Sequence, residues 1–171
     1  MRNEALFFNG VYEVVLEDIL AIQAHLPEQI LYLQPYSGMR IVHLAEDPPS
    51  TDDPVRLLMS TTEDLANVHY TCEIVGWDDK RQLEGPRAKL LNRIIYVFQW
   101  TEEGVYKYGR DESHPCVNLL HVRRMRKFSH PFSVDQLTKA KTTEALSTAR
   151  TTSGGWTYVN NPDNDWLEEY L

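Results

Sequence analysis

His69, Thr71 and Glu73 stand at alternate positions of "VHYTCEIVGWDDK", residues 68–80. In an extended chain alternate residues share a face and lie ~6–7 Å apart. An imidazole, a hydroxyl and a carboxylate so spaced can bind the polar edge of a ligand or activate a water. Val75 and Trp77 continue that face, and Trp77 stands where the strand runs into a turn. An indole at such a junction offers a plane on which a base can stack. Tyr36 and Trp100, near other turns or strand ends, complete a candidate base-binding set of Trp77, His69, Thr71, Glu73, Tyr36 and Trp100. The plainer reading is a half-solvated wall of a sheet. No serine or cysteine nucleophile accompanies a base, so no residue is assigned as catalytic and the pattern points to binding.

The second cluster is "HVRRMRKF", with Arg123, Arg124, Arg126 and Lys127. Four cations so close can hold phosphates. On a regular strand Arg123 and Lys127 share one face, and Arg124 and Arg126 the other. The alternative is pairing with acids from the first half of the chain. Charge is unevenly spread. Residues 1–80 hold 14 acidic and 4 basic residues, 81–150 hold 7 and 13, and 151–171 hold 4 and none, within a net −8. A nucleic-acid binder can be acidic overall if its cations share a face.

Other chemistries lack their patterns. The six histidines show no H-x-H or H-E-x-x-H spacing, and His114-Pro-Cys116 has no further local ligands, so no metal is expected. Neither G-x-G-x-x-G nor G-x-x-x-x-G-K-[ST] occurs, and no cofactor is expected. Cys72 and Cys116 read as reduced thiols. With no span-length apolar run and no leader pattern, the expectation is a cytoplasmic protein without membrane contact.

These residues need elements to position them. In "GVYEVVLEDILAIQAHLPEQ", Val15, Ile19, Ile22 and Leu26 recur at helical spacing, with Asn9 as cap and Pro27 as stop. Short strands are expected at Ile30–Gln34, in "MRIVHLA" and in "PVRLLMS". "EDPPSTDDP" is a loop, "TTEDLAN" a turn, and "GWDDKRQLEGP" a second turn. "RIIYVFQW" is apolar on both faces, and "TEEG" turns it into "VYKYG". "CVNLLHVRRMRKF" is a long strand. Ser133 and Gln136 make a capping box opening a second helix that carries Lys139 and Lys141. A last strand is expected near Trp156–Val159, and the tail packs back through Trp166 and Leu167. The whole reads as one α+β domain, residues 1–171, with a small mixed sheet closed into a barrel and flanked by helices.

"PVRLLMS", a polar turn and "VHYTCEIVGW" resemble the core hairpin of PUA-like domains, in particular the EVE and ASCH branches. "VNLLHVRRMRKFSHPFSVDQLTKAK" is similar to the EVE succession of late strand, proline and Ser-capped helix. The ASCH "G-x-K-x-x-T-x-R" signature is absent. The resemblance implies a PUA-like pseudo-barrel over roughly residues 30–160. It further implies a concave pocket binding DNA or RNA, often at a modified or flipped base. Two alternatives stand beside it. One is an acidic module or inhibitor, of the phage or mobile-element kind, engaging a basic protein partner. The other is a small hydrolase of a modified nucleobase or nucleoside using Glu73.

Overall fold

A computed structural model describes residues 2–34, 40–79, 82, 118–148 and 155–171. Among the described residues six strands form one sheet in the order β2-β5-β4-β3-β1-β6. They are β1 (Glu4–Val11), β2 (Leu31–Leu33), β3 (Val55–Thr61), β4 (Asn67–Asp79), β5 (Asn118–Ser133) and β6 (Trp156–Asn160). β1 and β3 run parallel and every other neighbouring pair is antiparallel. Among the described residues three helices accompany them: α1 (Glu13–Gln23), α2 (Val42–Glu46) and α3 (Asn164–Glu168). The mixed α+β class is as expected. Among the described residues the sheet is open, with β2 and β6 at its ends. The expected strand at 93–100, Trp100 and Tyr36 lie outside the described residues, as do His114 and Cys116.

Each face of the sheet carries a core. Leu6, Phe8, Leu57, Met59, Tyr70, Cys72 and Ile74 pack under α1 and α2 with Leu16, Ile19 and Leu44. Ala5, Phe7, Leu58, Val68, Phe128 and Phe132 pack on the opposite side with Val134, Leu137, Leu146 and Leu167. β1 was not anticipated. "ALFF" sends side chains into both cores, so it shows neither alternation nor helical period.

Four local expectations are corrected. Asn9 lies within β1, its N–H donating to the Gly155 carbonyl at 2.7 Å, and Tyr12 precedes α1 without a side-chain cap. α1 ends at Gln23, before Pro27 can stop it, and Leu26 is 56% exposed. "MRIVHLA" contributes α2 instead of a strand: Ile41 and Leu44 are buried while Val42 is exposed, a helical spacing. The start of the expected turn, Gly76 to Asp79, is strand instead, because β4 continues through Trp77 to Asp79; apart from Gln82 the rest of that stretch lies outside the described residues.

A fifth correction concerns the expected second helix. Only one 3-10 turn forms, Val134–Gln136, and the Ser133 side chain caps nothing. The chain beyond it spends its hydrogen bonds on β6: Ala140 N–H donates to Tyr158 O, and Asn160 N–H to Thr138 O. A helix would withhold those groups and leave the β6 edge open. Lys139 and Lys141 therefore sit on an edge-covering segment.

The tail packs back as expected. Trp166 and Tyr170 meet Phe132 with ring centroids 5.0 and 4.9 Å away. Leu167 is buried, and Ser129 Oγ donates to the Leu171 carbonyl at 3.1 Å.

Candidate functional site

β4 and β5 pair along most of their length, but their register shifts between Val68 and Tyr70, Thr71 and Glu73, and Ile74 and Gly76. Each shift changes which side chains share a face. The last one separates Trp77 from the residues before it. Trp77 packs with the core under α1 and α2, the core that also takes Tyr70, Cys72 and Ile74. Its Nε1–H donates to Asn118 Oδ1 at 3.1 Å, and Arg40 lies 5.1 Å above its ring. Asn118 Oδ1 also accepts from the Ile41 N–H at 3.1 Å, so the indole anchors the approach to α2. Trp77 does not join a face with His69, Thr71 and Glu73. Gly76 permits this crossing: a Cβ there would lie 2.5 Å from His121 Nδ1.

The other members of that face are committed locally. Thr71 is buried and its hydroxyl donates to the Leu57 carbonyl at 3.0 Å. His69 Nε2 lies 2.7 Å from Asp64 Oδ2. Arg123 Nε reaches Glu73 Oε2 at 2.7 Å and Arg124 reaches Oε1 at 3.1 Å. Both oxygens of that carboxylate are taken by guanidiniums, so neither is directed at a water or a ligand. Glu73→Gln is expected to cost about 1–2 kcal/mol of stability in a denaturant titration. A gain in stability would remove the pairing from the account. Cys72 offers no nucleophile either: burial, with help from the Glu73 charge, pushes its thiol far above the ordinary range.

The cation run is re-sorted by an irregularity in β5. Arg124 has φ 56°. The backbone there turns so that Arg123 and Arg124 both reach Glu28 as well as Glu73. Arg126 points toward the tail and pairs with Glu168 at 3.0 Å. Lys127 lies over the Tyr70 ring and pairs with Glu17 at 2.7 Å. Arg123 and Lys127 thus belong to different surfaces, and the four cations form no single phosphate track.

Two carboxylates are lowered by these contacts. The His69 hydrogen bond holds Asp64 below the ordinary aspartate range. Burial alone would raise Glu17, but hydrogen bonds from Lys127 and Tyr70 outweigh it and leave the group lowered. A carboxylate lowered on folding stabilises the fold above its unfolded pKa of about 4, and that contribution is lost as pH falls through the folded value. His69→Ala is expected to return Asp64 toward the ordinary value, seen by NMR titration of its carboxyl, and to flatten stability against pH below about 4. An unmoved titration would remove the His69–Asp64 contact from this account.

Among the described residues no three His, Cys, Asp or Glu side chains are grouped to hold a metal ion. No described helix is long and apolar enough to cross a membrane. One concave feature that sequence reading missed is a cleft of about 470 Å³ where α2, the start of β1 and β6 meet. Its walls include Arg2, Glu4, His43, Glu46, Lys141 and Tyr158. They come from distant stretches of the chain, so no local pattern announces them. No family model, curated protein or solved structure matches this chain.

Proposed function

We propose that the protein is a non-catalytic interaction module whose acidic surface engages a basic protein partner. One observation carries the reading. The described residues hold 20 acidic and 9 basic side chains, a net −11, and all nine of the basic ones are engaged within the fold. Arg2 pairs with Asp47 and Asp53, Arg40 with Asp79, Lys139 with Glu144 and Lys141 with Glu4. Arg56 is held by Asn161, Pro162 and Asn164. The β5 cations take Glu13, Glu17, Glu28, Glu73 and Glu168. Acids at Asp52, Glu63, Asp135, Asp163, Asp165 and Glu169 are exposed and remain for a partner. Such a surface attracts cations over a range set by salt.

The nucleic-acid reading, with a PUA-like pseudo-barrel closed around a base, requires phosphates to displace the carboxylates that hold Arg123, Arg124, Arg126 and Lys127. It also requires a base to find room on the Trp77 ring, over one face of which Arg40 lies. Two measurements separate the readings. Capture from nuclease-treated lysate should retain a basic protein whose binding weakens with salt. Direct titration with single-stranded and duplex oligonucleotides at low salt should show no saturable binding. Saturable oligonucleotide binding with a steep negative log–log salt slope would replace the proposal by the nucleic-acid one.

A further inference from the structure

The acidic loop between α2 and β3, residues 47–54, closes around one guanidinium. Arg2 Nη1 donates to the Asp47 carbonyl at 3.1 Å and to Asp47 Oδ2 at 3.2 Å. Its Nη2 donates to the Pro48 and Asp53 carbonyls at 3.2 and 3.3 Å and lies 2.9 Å from Asp53 Oδ2. Oxygens of one short loop thus meet both ends of a planar fork. An ammonium, with its donors on a single atom, cannot span them in the same way, so the loop is shaped for a guanidinium.

This receptor does not depend on its occupant. Asp47 N–H donates to the His43 carbonyl at 3.0 Å, which ties the start of the loop to α2. Ser50 N–H donates to the Asp53 carbonyl and Asp53 N–H to Ser50 Oγ, both at 3.1 Å, so the turn closes on itself. From β5, Arg123 Nη2 holds the Thr51 carbonyl at 2.9 Å. Pro48, Pro49 and Pro54 stiffen what remains.

The occupant is exchangeable at its polar end. The Asp47 and Asp53 side chains are 80% and 58% exposed, so both carboxylates are open to a cation from outside, and ion pairs to such groups contribute little. Arg2 Nε is buried without an acceptor, an unfavourable state that ends when the side chain turns out into water. Leaving uncovers the site of the Arg2 stem, and the stem of another arginine covers it again. Glu46, Asp47, Asp52 and Asp53 carry four charges against the one of Arg2, so the loop still draws cations when Arg2 is seated.

We infer that Arg2 is a built-in competitor at this loop, and that the basic partner docks by placing an arginine of its own where Arg2 sits. This rests on the proposed basic partner and names the loop and the side chain through which it is read. The contact is autoinhibitory. Arg2 is tethered, so its effective concentration at the loop keeps out single arginines, and a partner needs further cations for Glu46 and Asp52 to displace it.

The test uses the full chain, titrated by NMR with Nα-acetyl-arginine N-methylamide. Arg2→Gln removes the competitor and should bind this probe at least about tenfold more tightly than the parent does, with shifts at Asp47 and Asp53. The lysine counterpart should bind Arg2→Gln at least about tenfold more weakly than the arginine probe. Adding Asp53→Asn should remove most of the gain. In the parent, hexa-arginine should free Arg2, whose Nε–H then exchanges with water as fast as that of free arginine. That measurement needs no variant and decides the matter if Arg2→Gln loosens the loop. Probe binding to Arg2→Gln within about twofold of the parent, with the loop amide signals retained, would overturn the inference. So would equal binding of the lysine probe, or hexa-arginine that leaves the Arg2 Nε–H protected. A basic protein from lysate that binds the parent and Arg2→Gln alike would place its docking elsewhere and leave the interaction-module reading standing. A gain for the probe with no basic protein captured by either chain would keep the guanidinium site and remove that reading.

Discussion

Gln23→Met is expected to lower stability by about 2–4 kcal/mol, although methionine is close in shape and at least as good a helix former. Gln23 is 2% exposed at the last turn of α1. Its Nε2 donates to the Gln29 carbonyl at 2.8 Å and the Val122 carbonyl at 3.0 Å. Its Oε1 accepts the Met125 N–H at 2.8 Å. Methionine leaves that buried N–H with no acceptor and takes one donor from Val122, losses of about 1–3 kcal/mol for each group left unsatisfied. Gln29 is exposed, so water replaces its bond.

The consequence reaches further than stability. Val122 and Met125 flank Arg124, whose positive φ is uncommon for a side-chain-bearing residue. Gln23 is what grips the irregularity from both sides. Loosened, the segment should relax toward a regular strand and pull Arg124 from Glu28 and Glu73. Urea denaturation measures the first effect, and hydrogen exchange at Met125 N–H measures the second. A loss below 1 kcal/mol with unchanged protection would show that Gln23 does not hold this bulge.

Arg56→Met is expected to cost about 2–3 kcal/mol and to release α3 from the sheet. The Arg56 guanidinium on β3 donates to Asn161 Oδ1 at 2.7 Å, to the Pro162 carbonyl at 2.5 Å and to Asn164 Oδ1. It thus joins the centre of the sheet to the connection that leads into α3. Burial lowers its pKa, with the Glu73 charge opposing, yet a guanidinium stays charged throughout the working pH range. Charge-assisted bonds to partly buried acceptors contribute more than neutral ones, and the cost of burying the cation offsets part of that gain. Methionine fills the space of the stem but offers no donor. Without the clamp, Trp166 should lose its edge-on contact with Phe132, seen as a weaker near-ultraviolet dichroism signal and a red-shifted emission. A variant that loses stability while keeping the aromatic signal would mean that Leu167 and Tyr170 hold α3 alone.

The local elements were largely readable because their causes are local. α1 is announced by Val15 and Ile19, β3 by a short apolar run after Pro54, β4 by the alternation of Val68, Tyr70, Cys72 and Ile74, and the acidic loop by three prolines and four acids. The tail's return is announced by Trp166 and Leu167 in an otherwise polar stretch. Two misreadings have one origin. The S-x-x-Q box at Ser133 and the apolar run at Ile41 carry signals from neighbours in sequence, but the backbone there answers to partners far along the chain. β6 claims the segment at 138–140, and the core under α2 claims Ile41 and Leu44.

Charge and chemistry divide in the same way. By itself the sequence determined a net-acidic α+β chain with no nucleophile set beside a base, and raised pairing between β5 cations and first-half acids as one of two options. Only the tertiary structure brought Arg123, Arg124 and Lys127 within reach of Glu28, Glu73 and Glu17, because an ion pair needs two groups within about 4 Å and sequence distance says nothing of that. It also moved Trp77 away from Glu73, since a single register shift exchanges the faces of every residue beyond it. Nor could residue order reveal the cleft that brings Arg2 beside Tyr158, for its walls meet only when the first strand lies against the last.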